Sequence, residues 1–473
     1  MKKKRYIELM YIRSLLFFAV ILVLCANIYA QETAAAPAVK LTQDEAVELA
    51  IRNNLSLESS RINLAVRRRA SDLSWNQFIP TVDVGGALLR FNESQMQSFT
   101  FMGQTMTMGS SQLWYLSASL SVSLNFNIAM IEEMNRLRLD YEKGLISFEK
   151  AKIQLERDVR KAYHNMLLLQ ENIALLRGTF ANVERQVQMA QANYNAGLAP
   201  ELILLQARVA RENMRPVIDQ VENGLKVSMA QFAMFLGLPF DTQFELTPVQ
   251  SASNYAALDL SEIISMASAN RPEIRELRQD ILMLNSIKTS TTFRLYTPTL
   301  SLSWNTAPSF SGDPWADPWF DFSRWREGQG MFRITLGFRL NGLIPFTSEN
   351  TALKNLNDQL ATANMGLAQL INGTQIEVYN TVLSLERTRL NAQAQAQTVS
   401  LAEQAYRLTE QAYRAGLQDY FQVQNAEQSL HQARVQLLEQ QFNYLNGLID
   451  LEYSIGVPFG TLSGNSAATR SVE

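Results

Sequence analysis

Cysteine is almost missing from this chain: one residue, Cys25, in 473. It falls inside an N-terminal stretch that reads as an export leader, so the mature chain has no disulfide and no thiol ligand, and packing alone must hold it together. Histidine is nearly as scarce. His164 and His431 sit off the apolar seams of long helical patterns with no partner cluster, which places them on solvated faces rather than in a catalytic or metal site. No glycine-rich phosphate loop and no zinc-ligand spacing occurs, so neither a cofactor nor catalysis is predicted. Thirteen prolines, against 47% hydrophobic residues, leave little room for loose modules on linkers. After the leader, no stretch approaches eighteen uninterrupted apolar residues. That excludes a membrane-spanning helix and leaves a membrane β-barrel open.

The leader is residues 1–30. Lys2, Lys3, Lys4, Arg5 and Arg13 supply its basic end, Ser14 to Cys25 its apolar run, and Ile28-Tyr-Ala30 its cleavage site, with Ala30 the last residue removed. Leu24 before Cys25 is too large for a lipid-attachment signal. The leader's five basic residues and one acid take four positive charges with them, so a chain of net charge −3 matures to −7. Such a chain is a poor nucleic-acid binder.

What the chain has is a repeat. Tyr194-Asn-Ala-Gly-Leu recurs as Tyr413-Arg-Ala-Gly-Leu, Leu236-Gly-Leu-Pro-Phe240 as Ile455-Gly-Val-Pro-Phe459, and Pro80-Thr-Val82 as Pro298-Thr-Leu300, at offsets of 218 or 219. The mature protein is therefore one unit written twice, residues 31–250 and 251–460, with a disordered tail at 461–473. Each copy predicts an opening helix (42–78 and 260–296), a β-hairpin (81–127 and 299–342), a long helix (129–195 and 349–415) and a return helix (201–236 and 420–455). Thr42 with Glu45, and Asp259 with Glu262, have capping-box spacing at the opening helices. Pro80 and Pro298 force the switch to extended chain.

The hairpins alternate with period two. Trp114, Leu116, Leu120, Val122 and Leu124 share one face and Ser117, Ser119, Ser121, Ser123 and Asn125 the other, while Phe332, Ile334, Leu336 and Phe338 alternate with Arg333, Thr335 and Arg339. The connecting loops are long, Asn92 to Ser111 and Thr306 to Gly330. The first carries Met96, Met102, Met106 and Met108, read as apolar surface residues. The second carries Trp315, Trp319, Phe320, Phe322 and Trp325, as at a membrane interface. Four strands cannot close a barrel. An open sheet edge in hydrocarbon strands about five polar groups at several kcal/mol each, so other copies of the chain must complete the barrel. Along the first long helix Met134, Leu137, Tyr141, Leu145, Phe148 and their successors to Tyr194 alternate spacings of three and four, a coiled-coil seam. At 1.5 Å per residue the rod is about 100 Å long.

In this order, and duplicated, these motifs resemble the TolC-like outer-membrane efflux protein family. The resemblance covers Leu41 to Phe459. It implies a mainly α fold with a membrane β-barrel part: a homotrimer whose twelve strands make one barrel in outer-membrane lipid and whose helices make a periplasmic tunnel. It implies a passive exit duct of a tripartite efflux or type I secretion system, docked to a periplasmic adaptor and an inner-membrane pump through the hairpin tips. Gly197, Leu198, Gly416 and Leu417 match those tips. Family members carry aspartates near the second tip, where this chain has Gln422 and Asn425, and Gln418 stands where an arginine is common. The duct is then expected to line or lock its closed end with Tyr413, Gln418, Gln422 and Asn425 through neutral hydrogen bonds. Tyr194 and Tyr413 suit equally a last core position or a gate. The competing reading of the same residues is a non-conducting periplasmic coiled-coil scaffold or pump adaptor with a soluble β-domain.

Overall fold

The computed structural model describes residues 39–93, 95–110, 113–248, 260–313, 315–328 and 330–462. The leader with its cleavage site at Ala30, and the tail from 463 onward, lie outside them. The first copy runs β1 (Val39–Leu41), α1 (Gln43–Asn53), α2 (Leu55–Asp72), β2 (Thr81–Arg90), β3 (Gln95–Phe101), β4 (Gln104–Ser110), β5 (Trp114–Phe126), α3 (Ala129–Asn195) and α4 (Glu201–Phe235). The second runs β6 (Phe244–Leu246), α5 (Leu260–Asn270), α6 (Pro272–Tyr296), β7 (Thr299–Thr306), β8 (Ser309–Ser311), β9 (Met331–Gly337), α7 (Ser348–Arg414) and α8 (Tyr420–Ile455). The two long helices, α3 and α7, have 67 residues each.

Neither opening helix is continuous. In the first copy Asn54 leaves helical space at φ −66°, ψ 121°, and its Nδ2 donates to the Phe235 carbonyl at 2.9 Å. Past Asp72 the chain tightens into a 3₁₀ turn, Ser74–Phe78, before Pro80. In the second copy Pro272 has no N–H to give, so it opens α6 instead of continuing α5. The Thr42 capping box is present, with Thr42 N donating to Glu45 Oε2 at 2.8 Å and Glu45 N to Thr42 Oγ1 at 3.3 Å. Its counterpart at Asp259 lies outside the described residues.

The chain divides into two compact units. The first gathers residues 1–54, 158–251 and 388–446. In it β1 and β6 pair in parallel, Val39 opposite Phe244 and Leu41 opposite Leu246. Tyr163 of α3, fully buried, ties this ladder down: its hydroxyl lies 2.8 Å from the carbonyls of both Leu41 and Thr247. Phe232 packs edge-on against Tyr163 and Phe244. His164 corrects the sequence reading, for it is buried rather than solvated. One ring nitrogen stands 3.2 Å from Gln43 Nε2 and the other 3.0 Å from Asn446 Oδ1, and burial lowers its pKa. His431 is half-buried beside Thr179, its pKa also lowered by burial.

The second unit, residues 55–157, 252–387 and 447–473, holds the antiparallel sheet β2-β5-β7-β9, with β8 added on β5. Register keeps the two faces distinct, with Arg90 opposite Trp114 and Thr306 opposite Leu120 as polar departures on the apolar face. One row across the four strands is Val82, Val122, Trp304 and Phe332, and the next is Thr81, Ser123, Ser303 and Arg333. The apolar row is exposed at both ends, Val82 by 62% and Phe332 by 63%. Among the described residues, strands β2 and β9 each pair on one side only. Two expectations change here. The last strand stops at Gly337, followed by a 3₁₀ turn at Leu340–Leu343, and the loop 92–111 is itself the hairpin β3-β4. Its two-residue turn has Met102 at φ 49° and Gly103 at φ 77°, the doubly left-handed geometry that matches strand twist.

Candidate functional site at the hairpin tips

The helix ends at both tips are the same backbone device. After α3, Gly197 takes φ 70°, its N–H bonding the Tyr194 carbonyl at 2.9 Å while Leu198 N bonds the Asn193 carbonyl at 2.8 Å. After α7, Gly416 takes φ 73°, with Gly416 N to Tyr413 O at 3.0 Å and Leu417 N to Ala412 O at 2.9 Å. These paired bonds form a Schellman turn, and only glycine enters its left-handed position without strain. The next residues present their side chains to solvent: Leu198 is 78% and Leu417 79% exposed. Pro200 then precedes α4, and Asp419 caps α8 by accepting from Gln422 N at 2.9 Å.

Behind the tips the two copies share one packed layer. Val187 and Ala190 of α3, Leu204 and Ala207 of α4 and Tyr420 of α8 form a buried cluster, with Ile203 and Tyr413 packed against it. Tyr413 meets Tyr420 edge-on, ring centres 6.3 Å apart. Tyr413 thus packs, partly buried, against a core layer of its own chain. Its counterpart Tyr194 is 40% exposed. Gln418, Gln422 and Asn425 are exposed, and their side chains bond to no described residue, so no lock of neutral hydrogen bonds forms within one chain.

One polar contact in this layer was not anticipated from sequence. Glu427 of α8 is buried and accepts from Gln186 Nε2 of α3, equally buried, at 2.6 Å. The other carboxylate oxygen of Glu427, the amide oxygen of Gln186 and the Tyr420 hydroxyl are buried without partners. Burial pushes the Glu427 carboxyl above the ordinary range and Glu410 adds to this, while hydrogen bonds from Asn182 and Gln186 and the charge of Arg185 oppose it. Burial, with Glu427 and Tyr413 nearby, pushes the Tyr420 phenol up to about 12. The signal was available: Tyr420, Val423, Glu427 and Leu430 continue the three-four spacing of the buried seam, with an acid where an apolar residue belongs.

Among the described residues no helix is long and apolar enough to cross a membrane, and no group of three His, Cys, Asp or Glu could hold a metal. Residues 46–238 match the sequence model of the outer membrane efflux protein family. No curated protein matches the chain. Among solved structures, its fold is that of outer-membrane channels. CusC, solved as it folds and forms a transmembrane channel, is 18% identical at TM-score 0.69 over 91% of this chain and 96% of its own. The CmeC outer membrane channel of Campylobacter jejuni is 13% identical at TM-score 0.68, over 88% of this chain and 85% of its own. The outer membrane protein VceC of Vibrio cholerae is 15% identical at TM-score 0.67, over 88% and 96%.

Proposed function

We propose that this chain forms a homotrimeric duct in the bacterial outer membrane, reaching into the periplasm and docking through its tips to an adaptor and inner-membrane pump of a tripartite efflux or type I secretion system. The duct is passive, and the pump supplies the energy. One observation carries this reading: a four-stranded sheet with one predominantly apolar face, interrupted by Arg90 and Thr306 at the ends of β2 and β7, has its two outer strands, β2 and β9, unpaired on one side among the described residues. In hydrocarbon each unpaired edge group costs several kcal/mol. Pairing β9 of one copy with β2 of the next removes every edge when three copies close the ring into twelve strands. A second observation supports self-association. Along α7, Met365, Ile376, Leu383, Leu390, Leu401 and Leu408 are at least half exposed, mostly at heptad spacing, and a seam of that kind is buried by another helix.

The decisive experiment is purification of the full chain from membranes, followed by electrophoresis before and after heating and by planar-bilayer recording. A detergent-requiring trimer that dissociates on heating and conducts supports the duct. A monomer extracted without detergent that passes no current overturns it and favours the periplasmic scaffold.

A further inference from the structure

The polar face of the sheet bears hydroxyls and amides and little charge: Asp83 on β2 and Arg333 on β9 are its only ionised strand residues. Below Arg333, where strands hand over to helices, that face ends in a cavity of about 250 Å³ lined by Gln77, Asn127, Glu133, Arg294, Thr299 and Arg339, among others. Three of these are already committed, Thr299 by accepting from Asn127 Nδ2 at 3.3 Å. Asn127 donates to the Pro298 carbonyl at 3.0 Å and accepts from Ala129 N at 2.8 Å. Glu133 is held by Arg136, whose Nε stands 3.0 Å from both carboxylate oxygens, so its charge is compensated by a residue outside the lining.

The other polar groups are donors in want of an acceptor. Arg294 and Arg339 make no hydrogen bond or ion pair with any described residue; Arg294 reaches Glu133, and Arg339 reaches Glu349, only through longer-range attraction. Gln77 Nε2 is buried and unpartnered. Two guanidinium groups and an orphaned amide N–H around a cavity of this size fit a carboxylate, phosphate or sulfate, which accepts from several donors at once. A cation would meet two arginines there that no described carboxylate pairs at contact distance. At the second tip Gln418, Gln422 and Asn425 are neutral, and its one acid, Asp419, is held as the α8 cap.

We infer that this cavity is an oxyanion-binding site at the foot of the sheet, and that the duct passes anionic solutes in preference to cations. The second half of that statement rests on the duct reading; the binding site does not. Both arginine side chains are solvent-exposed, so their replacement by glutamine leaves the fold intact.

Two measurements test it. In planar bilayers under a tenfold KCl gradient, the wild type should show an anion-selective reversal potential, shifted toward zero in R339Q and R294Q and further in the double variant. Separately, calorimetry with inorganic pyrophosphate on the detergent-purified protein should show binding that weakens at least tenfold in either variant. A cation-selective wild type, or a reversal potential unmoved in the double variant, overturns the anion preference. Absence of pyrophosphate binding to the wild type, or binding to R294Q and R339Q as tight as to the wild type, overturns the site whether or not the protein conducts. A protein that binds pyrophosphate through these arginines yet passes no current keeps the site and removes the duct.

Discussion

Four glycines end the four long and return helices, and they divide into two pairs. Gly197, Gly416, Gly237 and Gly456 all lie between φ 67° and 74° and all close the same two backbone bonds. Around Gly197 and Gly416 a Cβ would meet nothing within 4 Å. A Cβ on Gly237 would stand 2.4 Å from the Asn53 carbonyl oxygen, and one on Gly456 3.1 Å from that of Asn270. One turn thus serves two purposes. At Gly237 and Gly456 it lets the end of a return helix close against the end of an opening helix, and at the tips it finishes a helix with no neighbour of the same chain. Repeats that share a backbone need not share a role, and the space around the turn separates the roles.

The largest test of that division is Gly237→Ala. The left-handed position costs about 1–2 kcal/mol for any residue with a Cβ. Here a backbone carbonyl must also move, which puts the loss at about 3 kcal/mol or more. Thermal unfolding of the purified protein should fall well below that of Gly456→Ala, whose contacts are looser. Equal melting of Gly237→Ala and Gly416→Ala would erase the distinction.

Next in size is Glu427, which separates the buried tip layer from the exposed turns above it. Its folded pKa is raised, so the native state binds its proton more tightly than the unfolded chain does. Its contribution to stability is full below the unfolded carboxylate pKa, about 4.3, and is lost as pH climbs through the raised folded value. Hydrogen-exchange protection in the Gln186 and Glu427 segments, taken relative to the intrinsic rate at each pH, should therefore fall as pH rises out of the acid range, and Glu427→Gln should flatten that dependence. Glu427→Ala should cost about 1–3 kcal/mol by stripping the buried Gln186 amide of its acceptor. Unchanged pH dependence in Glu427→Gln would mean that another group titrates.

Periodicity made the long helices, the tips and the two-faced strands legible, because each is a property of one segment. What stayed hidden depends on a second segment. His164 lies off the α3 seam, and only Gln43 of α1 and Asn446 of α8 show that its side of the helix is covered. The break at Asn54 follows from an acceptor 181 residues away, at Phe235. The break at Pro272 was within reach of the proline rule alone, and the doubly left-handed Met102-Gly103 turn was masked by a non-glycine residue at its first position. At the tips the glycines and leucines were found by matching the copies, whereas Gln186 and Glu427 interrupt apolar seams and so escape a search for apolar spacing.

A smaller effect follows at Gly416→Ala, where only the left-handed strain applies, about 1–2 kcal/mol. The melting temperature should drop slightly, and by the same amount for Gly197→Ala, since both turns are open. A pull-down by the cognate adaptor that weakens much more than stability does would mark the tips as a docking surface. Binding that weakens only in step with stability would remove that role.

The smallest effect on the fold should come from Gln422→Ala and Asn425→Ala. Both side chains are exposed and bond to no described residue, so each change should leave stability within about 0.5 kcal/mol. If these amides meet their counterparts across a three-fold axis, their loss should still raise the closed-state conductance, because the hydrogen bonds removed lie between chains. Block by multivalent cations should be weak before and after the change, since neutral amides concentrate no negative field. A several-degree fall in melting temperature would show that the side chains pack within their own chain, and strong cation block abolished by either variant would show a charged constriction where the sequence has amides.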